Sequence, residues 1–83
     1  MLNGRLTLYD VLGVTETATL DEIRAGFRKN AARFHPDVNK DPMAPEALRI
    51  VTNAYDVLSH AQYRRQYDAQ LAAMRAPRPA PQQ

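Results

Sequence analysis

Residues 21–39, DEIRAGFRKNAARFHPDVN, join the pattern of an amphipathic helix to an abrupt proline stop. The apolar side chains recur at the spacing of one helical face, at Ile23, Phe27, Ala31 and Phe34. Pro36 then ends the helix, because its ring disfavours helical backbone at the residue before it and it has no N–H to donate. The stretch therefore predicts a helix over residues 20–34 and a turn directly after it.

The solvent side of this predicted helix is positively charged. Four cations flank the apolar stripe: Arg24, Arg28, Lys29 and Arg33. Such a surface attracts an acidic partner, although many basic helix faces are only solvated. Charge alone therefore leaves the choice between a binding face and a solvated face open.

Three further helices are predicted on either side of this one, giving four over residues 8–12, 20–34, 45–58 and 60–73. The segments TLYD (7–10), TLDE (19–22) and SHAQ (59–62) fit or approach a capping box, which satisfies free N–H groups of a first helical turn. Gly13 suits a left-handed stop after the first helix, and Pro45 suits the first turn of the third.

Apolar stripes on the third and fourth helices predict how they pack. The third carries Leu48, Val51, Tyr55 and Leu58, and the fourth carries Tyr63, Tyr67 and Leu71. Two long helices joined by a loop of about ten residues form an antiparallel hairpin with the loop at its tip. We expect an all-α domain over residues 8–72, after an N-terminal arm (1–7) and before a proline-rich tail or linker (74–83).

Composition excludes several classes of function. The chain has 83 residues, no cysteine, two histidines and a net charge of +2. Disulfides and thiolate metal sites are excluded, and neither histidine has a second ligand at a recognised metal spacing, so no metal and no cofactor are expected. The sequence has no signal-peptide pattern and no bilayer-length apolar stretch. We expect a monomeric cytoplasmic protein with no membrane span.

The tripeptide His35-Pro36-Asp37 has two interpretations. Taken alone it is turn chemistry, since proline fixes one dihedral angle and aspartate bonds its own backbone. At the tip of a helical hairpin and directly after a basic helix, however, it holds an imidazole and a carboxylate toward solvent on a rigid support.

Four motifs in order resemble the J-domain (DnaJ) family: YDVLGV (9–14), DEIRAGFRKNAARFHPDVN (21–39), AYDVLS (54–59) and RRQYD (64–68). The resemblance covers about Leu8 to Asp68. It implies the J-domain fold, in which short first and fourth helices pack on the hairpin of the second and third.

The resemblance also implies a function, that of a co-chaperone in protein folding that binds a DnaK-type heat-shock ATPase and stimulates its ATP hydrolysis. J domains carry no active site, so no enzymatic activity of the chain itself is expected. The family's essential tripeptide falls on His35, Pro36 and Asp37. Its partner-binding face falls on Arg24, Phe27, Arg28, Lys29 and Arg33, with Asn39 beside it.

Three residues depart from the family pattern, and two of them, Asn30 and Val38, leave an alternative open. Asn30 stands where leucine is usual, Gly26 where alanine is usual, and Val38 where many relatives carry a basic residue. An unsatisfied amide at Asn30 would cost about 1–3 kcal/mol, and Gly26 up to about 1 kcal/mol. The alternative is a J-like module that docks or tethers a partner without stimulating hydrolysis.

Two other classes of function fit the sequence less well. Nucleic-acid binding has only the basic second helix in its favour, without interleaved aromatic residues or base-reading amides. An enzyme would need a nucleophile beside His35 and Asp37, and no serine, cysteine or lysine is placed to complete such a set.

Overall fold

The computed structural model describes residues 6–75 and places four helices in them. These are α1 (Leu8–Leu12), α2 (Leu20–Arg33), α3 (Ala44–Leu58) and α4 (Ala61–Arg75). The described residues contain no strand. Helix α3 contacts the other three, and α2 and α3 form the hairpin. The predicted all-α fold is confirmed.

Capping explains where the first two helices begin. The Thr7 hydroxyl accepts from the Asp10 amide at 3.1 Å, and the Asp10 carboxylate accepts from the Thr7 amide at 2.9 Å. Thr19 and Glu22 make the same reciprocal pair. Gly13 ends α1 with φ of 71°, a left-handed conformation that glycine adopts without penalty.

Apolar residues from every helix meet in one core. Tyr9 and Leu12 of α1 and Ile23 of α2 are buried against α3, and Leu71 adds the contact of α4. The buried cluster consists of Tyr9, Leu12, Ala18, Ile23, Val51, Ala54, Leu58 and Leu71. The predicted stripes on α2 and α3 therefore face the core, and this packing sets the direction of the hairpin tip.

The helix ends differ from the expected ones by one or two residues. Helix α2 ends at Arg33, because Phe34 has left helical geometry with ψ of 10°. Helix α3 begins at Ala44, ahead of Pro45, and α4 continues to Arg75. Residues 1–5 of the expected arm and residues 76–83 of the expected tail lie outside the described residues.

Two expectations near the start of α4 are wrong. Ser59 does not make a capping box within the described residues; it caps the end of α3, and its hydroxyl lies 3.5 Å from His60 Nδ1. Tyr63 was expected to pack but is exposed, with its ring beside His60. Tyr67 and Leu71, which lie nearer the end of α4, supply the contact with the core.

The expected penalty at Asn30 is wrong, and the helix-propensity cost at Gly26 has a structural reason. Asn30 Nδ2 donates to the Leu12 carbonyl at 3.1 Å and to the Gly26 carbonyl at 3.0 Å, so the amide is satisfied. A Cβ on Gly26 would lie 2.5 Å from the Leu12 carbonyl oxygen and 2.9 Å from Val14. The two residues together let the end of α1 approach α2 closely.

A polar network ties α4 to α1. The Tyr9 hydroxyl donates to Asp68 and accepts from Arg64 Nε at 3.0 Å. Burial raises the pKa of the Tyr9 phenol, the hydrogen bond to Asp68 adds to the rise, and Arg64 opposes it. Arg64 and Asp68 are 3.9 Å apart, and both bind Tyr9.

The loop between α1 and α2 is tied to α4 as well. Arg64 donates to the Glu16 carbonyl at 3.1 Å, and Arg75 donates twice to the Glu16 carboxylate at 2.7 Å. The hydrogen bonds from Arg75 lower the pKa of the Glu16 carboxyl group.

Within residues 6–75, no helix is long and apolar enough to cross a membrane.

Candidate functional site

The four predicted cations of α2 are exposed on the surface of the helix. Arg24 lies 3.5 Å from Asp21 one turn earlier, and Arg33 covers the ring of Phe34 at 5.6 Å. Arg28 and Lys29 are exposed between them. Because exposed pairs such as Arg24–Asp21 are weak, these side chains keep their charge available to a partner.

Phe27, which was also predicted to bind the partner, contributes mainly to the hairpin. Its ring stacks on Tyr55 of α3 with the centroids 4.3 Å apart and an angle of 21° between the planes. The side chain is half-buried and packs against the core cluster. Phe27 therefore fixes α2 on α3 and presents only part of its surface beside the cations.

The tripeptide lies on the loop between α2 and α3, and all three residues are exposed. The His35 carbonyl accepts from the amides of Val38 (3.0 Å) and Asn39 (2.9 Å), so the chain reverses immediately after the helix. Pro36 sits inside this turn, where its fixed φ restricts the backbone. The turn presents His35 and Asp37 at the end of the basic helix.

His35 and Asp37 contact each other in a way that depends on protonation. The Asp37 amide donates to His35 Nδ1 at 3.1 Å, which requires Nδ1 to be unprotonated. The Asp37 carboxylate lies 3.6 Å from the same nitrogen, and only a protonated Nδ1 would pair with it. The shorter contact to the amide favours a neutral imidazole with its proton on Nε2, which leaves the carboxylate facing solvent.

The rest of the loop is held by side chains that bond to its own backbone. Asn39 Nδ2 donates to the Arg33 carbonyl at the end of α2 at 3.1 Å, and Asn39 Oδ1 accepts from the Asp41 amide at 2.9 Å. Lys40 Nζ donates to the Pro36 carbonyl at 2.9 Å. These bonds lower the conformational freedom that the loop would lose on docking.

Asn39 therefore holds the loop backbone in place. Lys40 and Asp41 do the same, and the sequence did not indicate this role. Lys40 donates to the Pro36 carbonyl, and Asp41 accepts from the Met43 amide at 2.8 Å. The spacing Asn39-x-Asp41 signals two successive Asx turns, because each side chain bonds the amide two residues on. Nothing in the sequence signals the reach of Lys40 to Pro36.

The groups that the site exposes can bind a partner of complementary charge. Its groups are cations on one helix, one neutral imidazole and one free carboxylate, all open to solvent. Residues 6–75 contain no group of three or more His, Asp or Glu side chains that would hold a metal ion. The arrangement can attract an acidic surface and offer a carboxylate to a donor such as arginine.

Comparison with known proteins agrees with this geometry. A family profile described as "DnaJ domain" matches residues 7–68, which contain all four helix starts and the loop. The match ends within α4. Outside it lie the last residues of that helix, among them Arg75, which holds Glu16.

Curated relatives share the same region. "Chaperone protein DnaJ" of Leifsonia xyli subsp. xyli is 53% identical over 60 residues, and that of Dictyoglomus thermophilum is 48% identical over 60. "Chaperone protein dnaJ A6, chloroplastic" of Arabidopsis thaliana is 50% identical over 60. Each match covers 72% of this chain but only 14 to 16% of the relative.

Proposed function

The chain belongs to the DnaJ-domain family, and we propose that it is a co-chaperone. It binds a DnaK-type heat-shock ATPase and stimulates the ATP hydrolysis of that partner. The observation that carries the proposal is the exposed His35-Pro36-Asp37 turn at the end of the basic helix α2. The chain itself supplies binding groups, and the chemistry takes place in the partner.

Association begins with the charge of α2. Arg24, Arg28, Lys29 and Arg33 attract an acidic surface on the ATPase, over a range that salt limits to about 8–10 Å. This attraction raises the rate of encounter and orients the hairpin tip toward the partner. It does not stimulate hydrolysis by itself, because a ligand that binds both states of the partner equally shifts no equilibrium.

Stimulation is assigned to the tripeptide. The Asp37 carboxylate accepts charge-assisted hydrogen bonds from an arginine that the partner presents only in its hydrolysis-competent state. Pro36 and the bond from Lys40 to its carbonyl hold His35 and Asp37 in place before contact, which lowers the cost of ordering them. Preferential binding to one partner state then raises the rate of hydrolysis.

Single-turnover ATP hydrolysis by DnaK-type chaperones tests the proposal. The wild-type chain should accelerate hydrolysis, whereas His35→Gln and Asp37→Asn should not. Asp56→Asn is the matched control, since Asp56 is an exposed aspartate on α3, away from the loop. Failure of the wild-type chain with several chaperones would overturn the proposal, and equal acceleration by all four proteins would overturn the role of the tripeptide.

One of the two observations in favour of docking without stimulation no longer supports it. It depended on Asn30 and Val38 as departures from the family pattern. Asn30 bonds inward to Leu12 and Gly26, so it serves the packing of α1 on α2 and not the surface of the site. Only Val38, which is exposed beside Asp37, still bears on the contact with a partner.

A further inference from the structure

The loop of residues 34–43 exposes two apolar side chains beside polar side chains that bond to its backbone. Asn39, Lys40 and Asp41 bond to backbone atoms of the loop or of its entry from α2. Val38 and Met43 have no such role and are 71% and 64% exposed. Both apolar side chains are therefore available for contact with a partner.

Both apolar residues lie on the same short loop as the tripeptide. Val38 directly follows Asp37, so their Cα atoms are about 3.8 Å apart. Met43 is reached through the two Asx turns of Asn39 and Asp41, and it forms the N-cap of α3. A partner surface that engages the Asp37 carboxylate therefore comes within reach of Val38.

We propose that Val38 and Met43 form an apolar contact for the ATPase, and that this contact selects a partner with an apolar surface beside the donor that engages Asp37. The inference rests on the proposed function and adds the chemistry of the partner's surface. A basic residue at position 38 would instead favour an acidic partner surface there, so valine selects against such partners.

The two parts of the interface respond differently to salt. Attraction by the cations of α2 weakens as ionic strength rises, because salt screens exposed charges. An apolar contact depends on the area removed from water and is not screened. Removal of the apolar side chains should therefore weaken binding by a similar factor at low and at high salt.

The test compares Val38→Ser and Met43→Ser with Met74→Ser. Met74 is a matched control, because it is 62% exposed but lies near the end of α4. The Kd for a DnaK-type chaperone and the concentration that half-saturates its single-turnover hydrolysis are measured at low and high salt. Each loop variant should raise both values by roughly three- to ten-fold at either salt concentration, and Met74→Ser should change neither.

Two results would overturn the inference. One is unchanged Kd and half-saturation for both loop variants, and the other is a loss that Met74→Ser shares equally. Thermal unfolding of each variant separates binding from folding. No marked fall in Tm is expected, since all three side chains are exposed and serine is a favoured residue at the N-cap position that Met43 occupies. If the wild-type chain neither bound nor stimulated any chaperone, the proposed function itself would fail, and the inference with it.

Discussion

Asn30 connects two helices through a single amide group. Its Nδ2 bonds to the Leu12 carbonyl of α1 and to the Gly26 carbonyl of α2. Alanine at this position would leave the Leu12 carbonyl without that donor in a half-buried place, at a cost of about 1–2 kcal/mol. Urea unfolding of Asn30→Ala followed by circular dichroism should show this loss.

The control for that prediction is Asn53→Ala on α3. Asn53 is exposed, so its replacement reports only the higher helix propensity of alanine. An Asn30→Ala variant that is as stable as Asn53→Ala would contradict the role of the amide.

Gly26 is the second residue on which this contact depends. Alanine would gain up to about 1 kcal/mol of helix propensity, but its Cβ would lie 2.5 Å from a backbone oxygen of α1. Since backbone atoms cannot move aside as a flexible side chain can, we expect Gly26→Ala to lower the free energy of unfolding by roughly 1–3 kcal/mol in total. A rise in Tm for this variant would show that α1 does not approach α2 so closely.

At the scale of the element, α4 is held at both ends by the segment before α2. Arg64 near its start and Arg75 at its end both bond to Glu16. The pKa of the Glu16 carboxyl group is lowered in the folded chain by the hydrogen bonds from Arg75. A lowered pKa means that the folded state prefers the ionised group, so its contribution is present above the ordinary pKa of glutamate.

This sign gives a pH prediction for Glu16→Gln. The wild-type chain should be more stable than the variant at neutral pH, and the difference should shrink as pH falls through the lowered pKa of Glu16. Urea unfolding at a series of pH values from 7 to 3, at low salt, measures the difference. A gap that stays constant across the series would mean that the ion pair with Arg75 does not contribute.

At the scale of the whole molecule, the cations of α2 and those of α4 lie on separate helices that do not contact each other in the described residues. The cations proposed to meet the partner lie on α2, whereas α4 packs on α3. Arg28→Ala should therefore raise the half-saturating concentration for a DnaK-type chaperone, most strongly at low salt. Arg65→Ala on α4 removes the same charge elsewhere and should have little effect; equal losses in both variants would indicate non-specific attraction.

The division between what the sequence predicts and what it does not follows from the range of the interactions. The helices and their stops at Gly13 and Pro36 depend on neighbours within about four residues. Apolar periodicity indicates the helices, and the backbone preferences of glycine and proline indicate the stops. The bonds of Asn30 to Leu12 and of Arg75 to Glu16 join residues 18 and 59 positions apart. No local pattern encodes such pairs, and the sequence alone therefore predicts an unsatisfied amide at Asn30.

The loop shows the same limit within a short distance. The sequence indicated the turn and the exposure of His35 and Asp37, because proline and the position after a helix determine both. The bond of Lys40 to the Pro36 carbonyl and the exposure of Val38 depend on how the turn closes, and composition does not specify that.

The tripeptide is proposed to shift the partner toward its hydrolysis-competent state and not merely to strengthen the binding of the chain to the partner. The most direct measurement is the maximal single-turnover rate of ATP hydrolysis by a DnaK-type chaperone at saturating concentrations of the wild-type chain and of Asp37→Asn. We predict a large acceleration at saturation with the wild-type chain and a rate near the unstimulated one with Asp37→Asn. A variant that reached the wild-type maximal rate at a higher concentration would contradict the claim, because Asp37 would then contribute affinity alone.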